Sequence, residues 1–370
     1  MKYIKLPTLN QGVSSLALGV NKTGNEKNGS RELELSRTRL YHKAIDLGIN
    51  LFDTAELYGN GYSEKILGNA LKDRRDKALI CTKFNARNCS KQRLRESLES
   101  SLKRLQTEYV DFYLAHWGNP EIPTHEFVDC LNKFKSEGKI RAFGISNSDP
   151  LEVKRLFLQK NVDFFLVENE YNVVIRDVET DLFPVIEGSS HLFMAYSPLL
   201  EGMTEGLVSS QQQTIQSLKA KYNCSLPQLF LAWLNTKNLV SIVRTSSEKH
   251  LEENIEATNI EISQDDLKKF ENCYTIKKQL IPIDKIQLDS RSYVTLDEAL
   301  KNDRDLIPSP ELLSKRIDVG YKIPPLRVAK TASGYKLMNK SYVNEVKKYW
   351  AYRINNNRKG MIEAYIFNDL

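Results

Sequence analysis

The chain, 370 residues long, reads as a parallel (β/α)8 barrel, the TIM barrel, followed by a small α+β domain. Three observations lead there. Apolar runs rich in β-branched and aromatic residues recur eight times between residues 15 and 245, with helical patterns between them, and runs apolar along their whole length suit strands buried on both faces. A count of eight over some 260 residues favours the closed barrel over an open doubly wound sheet. Polar residues also gather at the C-terminal ends of these runs, where such a barrel collects its chemistry.

The predicted strands are "SLALGV" (15–20), "NLFDTA" (50–55), "ALICTKF" (78–84), "DFYLAH" (111–116), "RAFGISN" (141–147), "DFFLVENEY" (163–171), "HLFMAYSPL" (191–199) and "LVSIVRT" (239–245). Leu94, Leu98, Leu102 and Leu105 recur at helical spacing, as do Phe127, Leu131 and Phe134. At the strand ends stand Asp53, Lys83, His116, Ser146 with Asn147, Glu168, Tyr196 and Arg244. After the second strand, Gly59-Asn60-Gly61 invites a phosphate-loop reading. A dinucleotide fingerprint places its glycines directly after the first strand of a βαβ unit, with an acid near the end of the next strand. Here Asp53 and Tyr58 occupy the turn instead, so the glycines read as a tight loop presenting Tyr58 before a helix that opens near Ser63.

Beyond residue 276 the pattern changes, and the boundary falls at 276–281: a barrel over 1–276 and an appendage over 281–370. Four prolines lie between Ile281 and Pro324. Helices are predicted near 294–302 and 309–318, a hairpin over 326–339 turning at Ser333-Gly334, and a helix in "SYVNEVKKYWAYRI".

An apolar share of 41% with 27% charge supports a sizeable core. No apolar run of about 18 residues appears, and "MKYIKLPTLN" lacks a signal peptide's apolar stretch, which argues against export and a membrane. Five scattered cysteines, Cys81, Cys89, Cys130, Cys224 and Cys273, form no C-x-x-C pair and read as reduced structural thiols of a cytoplasm. Residues 281–370 carry sixteen Lys/Arg against eleven Asp/Glu; subtracting these from 53 and 47 leaves 37 against 36 in the rest. So small a surplus reads as a solvated face and argues against nucleic acid.

Asp53, Tyr58, Lys83 and His116 taken together suit the reduction of a carbonyl. A phenol of pKa about 10 is a poor acid, but a nearby ammonium favours its phenolate, so Lys83 would make Tyr58 a better proton donor. Asp53 would orient the ammonium, and His116 would hydrogen-bond the substrate oxygen. The hydride must come from a nicotinamide cofactor, since side chains supply none. Singly, each residue has an ordinary structural explanation: a strand-end cap, a packed turn tyrosine, a surface lysine, a core histidine. The case rests on their coming together on consecutive strand ends.

"FDTAELYGNGYSEKILGNAL", "TKF", "LAHW", "GISN", "NEYN" and "AYSPLLEG", in this order, resemble the aldo-keto reductase superfamily over roughly residues 1–275. The resemblance implies a (β/α)8 barrel that binds NADPH/NADP+ without a Rossmann domain. It implies Tyr58 as proton donor, Asp53 and Lys83 as its tuners, and His116 as the group that orients the carbonyl. Ser146 and Asn147 would hold the nicotinamide carboxamide, Tyr196 would stack on the ring, and the backbone around Ser197, Leu199 and Gly202 would follow the pyrophosphate. Arg244 and Thr245 match the family's 2′-phosphate ligands, and a guanidinium suits a phosphate. Glu253 and Asn254 match the residues at the adenine edge.

The chain departs from the family's pattern at three places, the first being Val243-Arg244, which replaces the usual Pro-Gly or Pro-Lys pair. His250 stands where an arginine usually stacks on adenine. Glu168 stands where a glutamine usually meets the carboxamide; an ionised carboxylate there accepts but cannot donate, and would favour the oxidised, positively charged ring. The substrate pocket is expected from Val20, Asn21, Trp117 and the 118–124 loop, and the polar loop after the first strand tilts towards a hydroxylated or charged carbonyl substrate such as a sugar derivative.

Residues 281–370 resemble, through "IPIDKIQ" and "YKIPPLRVAKTASGYKLMN", the N-terminal domain of ParB-type and sulfiredoxin-like proteins, without that family's glycine-arginine nucleotide motif and without a cysteine beyond Cys273. Two roles follow for this tail, a lid that shapes the pocket or a homo-oligomerisation module. Two other functions stay open for the whole chain: a non-catalytic NADP(H)-sensing or regulatory subunit, and a nucleic-acid-associated regulator acting through the tail.

Overall fold

The computed structural model describes residues 1–7, 9–21, 29–85, 90–117, 124–148, 150–200, 212–274, 278–282, 285–287, 326–331, 334–337 and 361–367. Eight parallel strands close into a barrel: β1 (Leu16–Gly19), β2 (Leu51–Asp53), β3 (Leu79–Phe84), β4 (Val110–Ala115), β5 (Ile140–Ser146), β6 (Phe165–Glu170), β7 (His191–Tyr196) and β8 (Val240–Val243). They run in chain order, and β8 pairs in parallel with both β7 and β1 to close the ring.

Side chains alternate faces along a strand, and one parity fills the interior. Ala17, Leu51, Leu79, Cys81, Phe112, Leu114, Ala142, Leu166, Met194, Val240 and Ile242 belong to one buried cluster. Two residues further along the same parity stand Asp53 after Leu51, Lys83 after Cys81, His116 after Leu114, and Glu168 after Leu166. The strand-end polar groups are thus the top layer of the same inward-facing stack, which is why apolar strands carry them. The opposite end is closed by a short antiparallel pair, Tyr3–Ile4 with Val13–Ser14, whose Val13 joins that cluster together with Leu6. These four residues are too few to leave a periodicity in the sequence. Gly144 on β5 is required by close packing, because a Cβ there would stand 2.1 Å from the Leu166 carbonyl oxygen.

In chain order, the helices of the described residues include α1 (Arg31–Asp46), α2 (Tyr62–Leu71), α3 (Lys91–Leu105), α4 (Thr124–Ser136), α5 (Pro150–Phe157), α6 (Asp177–Asp181), α7 (Phe183–Ile186), α8 (Gln212–Lys221), α9 (Leu226–Leu234), α10 (Glu248–Glu256) and α11 (Gln264–Cys273). The leucine stripe of α3 is buried as its spacing requires. The Ser90 hydroxyl caps the start of α3, and Gln106 ends it in a left-handed conformation. A capping box between Ser225 and Gln228 opens α9, a helix buried almost all round.

The chain divides into two compact units, Met1–Leu199 with Tyr222–Ser263, and Leu200–Lys221 with Gln264–Leu370. In the second, Lys221 of α8 pairs with Asp266 of α11 at 2.5 Å. It also holds a mixed five-stranded sheet built from β9 (Lys278–Pro282), β10 (Ile286–Gln287), β11 (Leu326–Thr331), β12 (Gly334–Leu337) and β13 (Met361–Phe367), in the order β9-β13-β11-β12-β10. The expected hairpin is the antiparallel pair β11–β12, with Thr331 opposite Gly334. The predicted helices near 294–302, 309–318 and 341–354 lie outside the described residues. Strand β13 was not foreseen. Among the described residues, no helix is long and apolar enough to cross a membrane.

Candidate active site

Strand pairing brings the top layer together: Asp53 is opposite Cys81, Lys83 opposite Leu114, and Ser146 opposite Glu168. The fully buried Lys83 ammonium donates to an Asp53 carboxylate oxygen and to the Thr54 carbonyl at 3.2 Å. On another side lies Glu168 Oε1, 3.2 Å away. One ligand atom from each of Asp53, Cys81 and Glu168 falls within 4.8 Å of the others, but Lys83 pairs with both carboxyls, so the cation at this cluster is the chain's own.

These charges act on one another. Burial pulls the Lys83 pKa down, and the attraction of Asp53 and Glu168 more than restores it, leaving it well above the usual lysine value. Burial and the Asp53 charge push Glu168 up to about 8, although the Lys83 ammonium and the Ser146 hydroxyl pull it back. The carboxyl expected to be ionised is therefore mostly protonated at neutral pH. Its Oε2 is buried without a hydrogen-bond partner among the described residues.

Tyr58 follows β2 in a turn, where its amide donates to the Ala55 carbonyl at 3.1 Å. Gly59, Asn60 and Gly61 all take positive φ, 60°, 55° and 85°, a run that glycine and asparagine accept most readily. A Cβ on Gly61 would also meet Arg104 Cδ at 2.5 Å, and Arg104 is held there by the buried Glu64 carboxylate at 2.6 Å. The glycines serve to turn the chain and present the tyrosine. The Tyr58 ring lies 5.6 Å from Lys83 Nζ and edge-on to His116, with centroids 5.5 Å apart. Trp117 stacks flat on His116 at 4.0 Å. Burial raises the Tyr58 pKa well above that of a free phenol, and Lys83 offsets only part of the rise. The expected acidifying pull is present, but desolvation exceeds it.

Asn147, in left-handed conformation with φ 52°, ties three strand ends together. Its Nδ2 donates to the His116 carbonyl at 2.9 Å and its Oδ1 accepts from the Tyr196 hydroxyl at 2.7 Å. Ser197 also has positive φ, and its carbonyl accepts from Asn172 at 3.1 Å. Leu199 is partly exposed and Gly202 lies outside the described residues. Arg244, Thr245 and His250 line one cavity of about 300 Å³, with Gly19, Val20 and Ser246. Neither Glu253, which pairs with Lys249 at 3.7 Å, nor the buried Asn254 is among its walls. Val20 is buried and Asn21 exposed beside β1. The cavity's remaining walls, Arg37 and Tyr41 of α1, went unnoticed in the sequence because they sit in an ordinary amphipathic helix; their only signal is a polar pair spaced four residues apart on one face.

A barrel whose upper mouth carries a phenol, a paired ammonium and an imidazole defines an oxidoreductase site for carbonyl groups. The chain belongs to the aldo/keto reductase family, whose sequence profile matches residues 15–275, and is an NAD(P)-dependent oxidoreductase acting on carbonyls. It is similar to the methylglyoxal reductase YeaE of Escherichia coli (strain K12), 29% identical over 287 residues that cover 76% of this chain and 96% of that one. An NADH-specific methylglyoxal reductase of the same organism is 30% identical over 316 residues, covering 72% and 96%. Among solved structures, a thermostable aldo-keto reductase in complex with the inhibitor epalrestat matches with a TM-score of 0.68 and 32% identity, over 74% of this chain and 100% of that one. An aldo/keto reductase from Klebsiella pneumoniae in complex with NADP and acetate matches with a TM-score of 0.64 and 29% identity, over 71% and 92%.

Proposed function

We propose that the chain reduces a small aldehyde, ketone or keto-sugar to an alcohol with NADPH, with Tyr58 as the proton donor. One observation carries this reading: the Lys83 ammonium is locked between Asp53 and Glu168, and the rings of Tyr58 and His116 stand beside it. When bound, the nicotinamide supplies the hydride. The residues proposed to hold it suit such a group: Glu168 Oε2 has a buried oxygen to offer, Asn147 and Tyr196 are already oriented by each other, and the Arg244 cavity is cationic.

In this reading Tyr58 gives its hydroxyl proton to the carbonyl oxygen as the carbon is reduced. Lys83 then stabilises the phenolate left behind, and Asp53 keeps the ammonium in place. His116, held upright by the flat Trp117 ring, directs the carbonyl oxygen toward Tyr58. A high phenol pKa keeps Tyr58 protonated at rest, which a donor needs. Because two relatives are methylglyoxal reductases, methylglyoxal is the first substrate to try. Loss of nicotinamide absorbance on adding methylglyoxal, other aldehydes or keto-sugars tests the reading, and no substrate-dependent oxidation of NADPH or NADH across that panel would sink it. For residues 281–370 we assign a structural or specificity role as a separate small domain.

A further inference from the structure

We propose that Glu56 is a positioning residue for the proton transfer: its carboxylate ties the turn that presents Tyr58 to the end of β3 and to α3. The inference rests on the reading of Tyr58 as proton donor above and adds a residue outside the four that define the site.

Glu56 stands two residues before Tyr58, in the turn after β2. Its amide donates to the Lys83 carbonyl at 3.0 Å, so the turn is laid along the strand end that carries the ammonium. One carboxylate oxygen accepts from the Asn85 amide at 2.6 Å, and the other accepts from the Ser97 hydroxyl of α3. Ser97 is buried, and its oxygen in turn accepts from the Tyr113 hydroxyl of β4 at 3.2 Å. Asn85 is buried too, and one residue earlier the Phe84 carbonyl accepts from the His116 amide at 2.9 Å. One side chain thus joins the Tyr58 turn to β3 and α3 and, through Ser97, to β4, the strand that ends at His116.

The far end of the turn is fastened separately. Thr54 Oγ1 lies 3.0 Å from Ser63 Oγ, which donates to the Val20 carbonyl at 2.7 Å. Between the two fastenings Gly59, Asn60 and Gly61 all take positive φ, and glycine by itself restrains the backbone least. Glu56 is the side chain that fixes the near side, and a displacement of about 1 Å in a reacting group costs up to about 10²-fold in rate. The groups whose charge bears on the Tyr58 phenol are Lys83, Asp53, Glu168 and Cys81, and Glu56 is not one of them. It acts by holding geometry rather than by tuning charge. A glutamine therefore serves in its place, accepting from the Asn85 amide and donating to the Ser97 oxygen.

The test is a double-mutant cycle on the full chain. Single-turnover oxidation of NADPH is followed with methylglyoxal, or with whichever carbonyl of the panel wild type accepts. Glu56→Ala slows this step about 10–10²-fold with dinucleotide affinity unchanged, and Glu56→Gln stays within about threefold of wild type. In a Tyr58→Phe background Glu56→Ala has no further effect, because the hydroxyl it positions has gone. A wild-type rate for Glu56→Ala, an equal loss in both backgrounds, or a Glu56→Gln loss as large as that of alanine overturns the inference. Ser97→Ala, which removes the hydroxyl donor to this carboxylate, reads the same cycle should Glu56→Ala fail to fold. Hydrogen exchange needs no turnover: Glu56→Ala hastens it across residues 56–60, Glu56→Gln does not, and unchanged exchange overturns the inference by itself. Failure of the donor reading is seen separately, as no turnover by wild type or as full turnover by Tyr58→Phe.

Discussion

Glu168 Oε1 lies 3.2 Å from Lys83 Nζ, although Asp53 already holds the same ammonium. Two buried carboxyls thus share one cation, and like charges in one enclosure cannot both ionise cheaply. Glu168 is the one that keeps its proton, with a pKa raised to about 8. A protonated carboxyl both donates and accepts, as a glutamine amide does, so the departure from the family's glutamine is smaller near neutral pH than the residue type suggests.

The first prediction is a pH dependence. A carboxyl whose folded pKa exceeds its unfolded value binds more protons in the native state, so stability falls as pH rises from about 4.5 to about 8. For this group the slope reaches about 1.4 kcal/mol per pH unit. Glu168→Gln removes it, and the variant gains on wild type steadily across that window in urea unfolding. A stability difference that stays flat with pH would contradict the assignment.

Removing the ammonium is a second test. Lys83→Met leaves two buried carboxyls without their cation, and breaking a buried pair this way costs about 3–5 kcal/mol. Adding Asp53→Asn and Glu168→Gln recovers much of that stability but no turnover. Chemical denaturation and steady-state rates separate the two effects, and a stable, active Lys83→Met protein would count against the network.

Asn147 sits at φ 52° while bridging the His116 carbonyl and the Tyr196 hydroxyl. Asn147→Gly keeps the backbone but loses both hydrogen bonds; Asn147→Ala loses them and adds strain of about 1 kcal/mol. Both weaken dinucleotide binding, with the alanine variant also the less stable. Fluorescence titration and thermal melts check this, and undiminished affinity in both would exclude the anchoring role.

Packing makes its own demand at Gly144. Because a Cβ there meets backbone at 2.1 Å, Gly144→Ala forces β5 and β6 apart and destabilises by about 3 kcal/mol or more. A melting temperature unchanged from wild type would refute the close approach.

The barrel was legible because its strands are largely apolar along their whole length and seven of the eight, all but β1, end in a polar group; all eight strands fall within a few residues of their predicted positions. Asp53, Lys83, His116 and Glu168 could be named from those ends alone. What the residues could not reveal depends on distance across the ring. Nothing local to "LVENEYN" says that Glu168 shares Lys83 with Asp53, and so its retained proton was missed. Nor does the helical pattern of α1 reveal that Arg37 and Tyr41 face Arg244. The closing pair Tyr3–Ile4 with Val13–Ser14 is held by register with its partner and by Leu6 and Val13 in the core, not by any pattern of its own.

The central claim is that Tyr58 donates the proton. Its most direct test is Tyr58→Phe, which removes one hydroxyl and leaves the ring against His116. Single-turnover reduction with saturating dinucleotide and a carbonyl that wild type accepts should slow by about 10²–10⁴-fold, with dinucleotide affinity unchanged. A Tyr58→Phe protein that turns over at the wild-type rate would contradict the account.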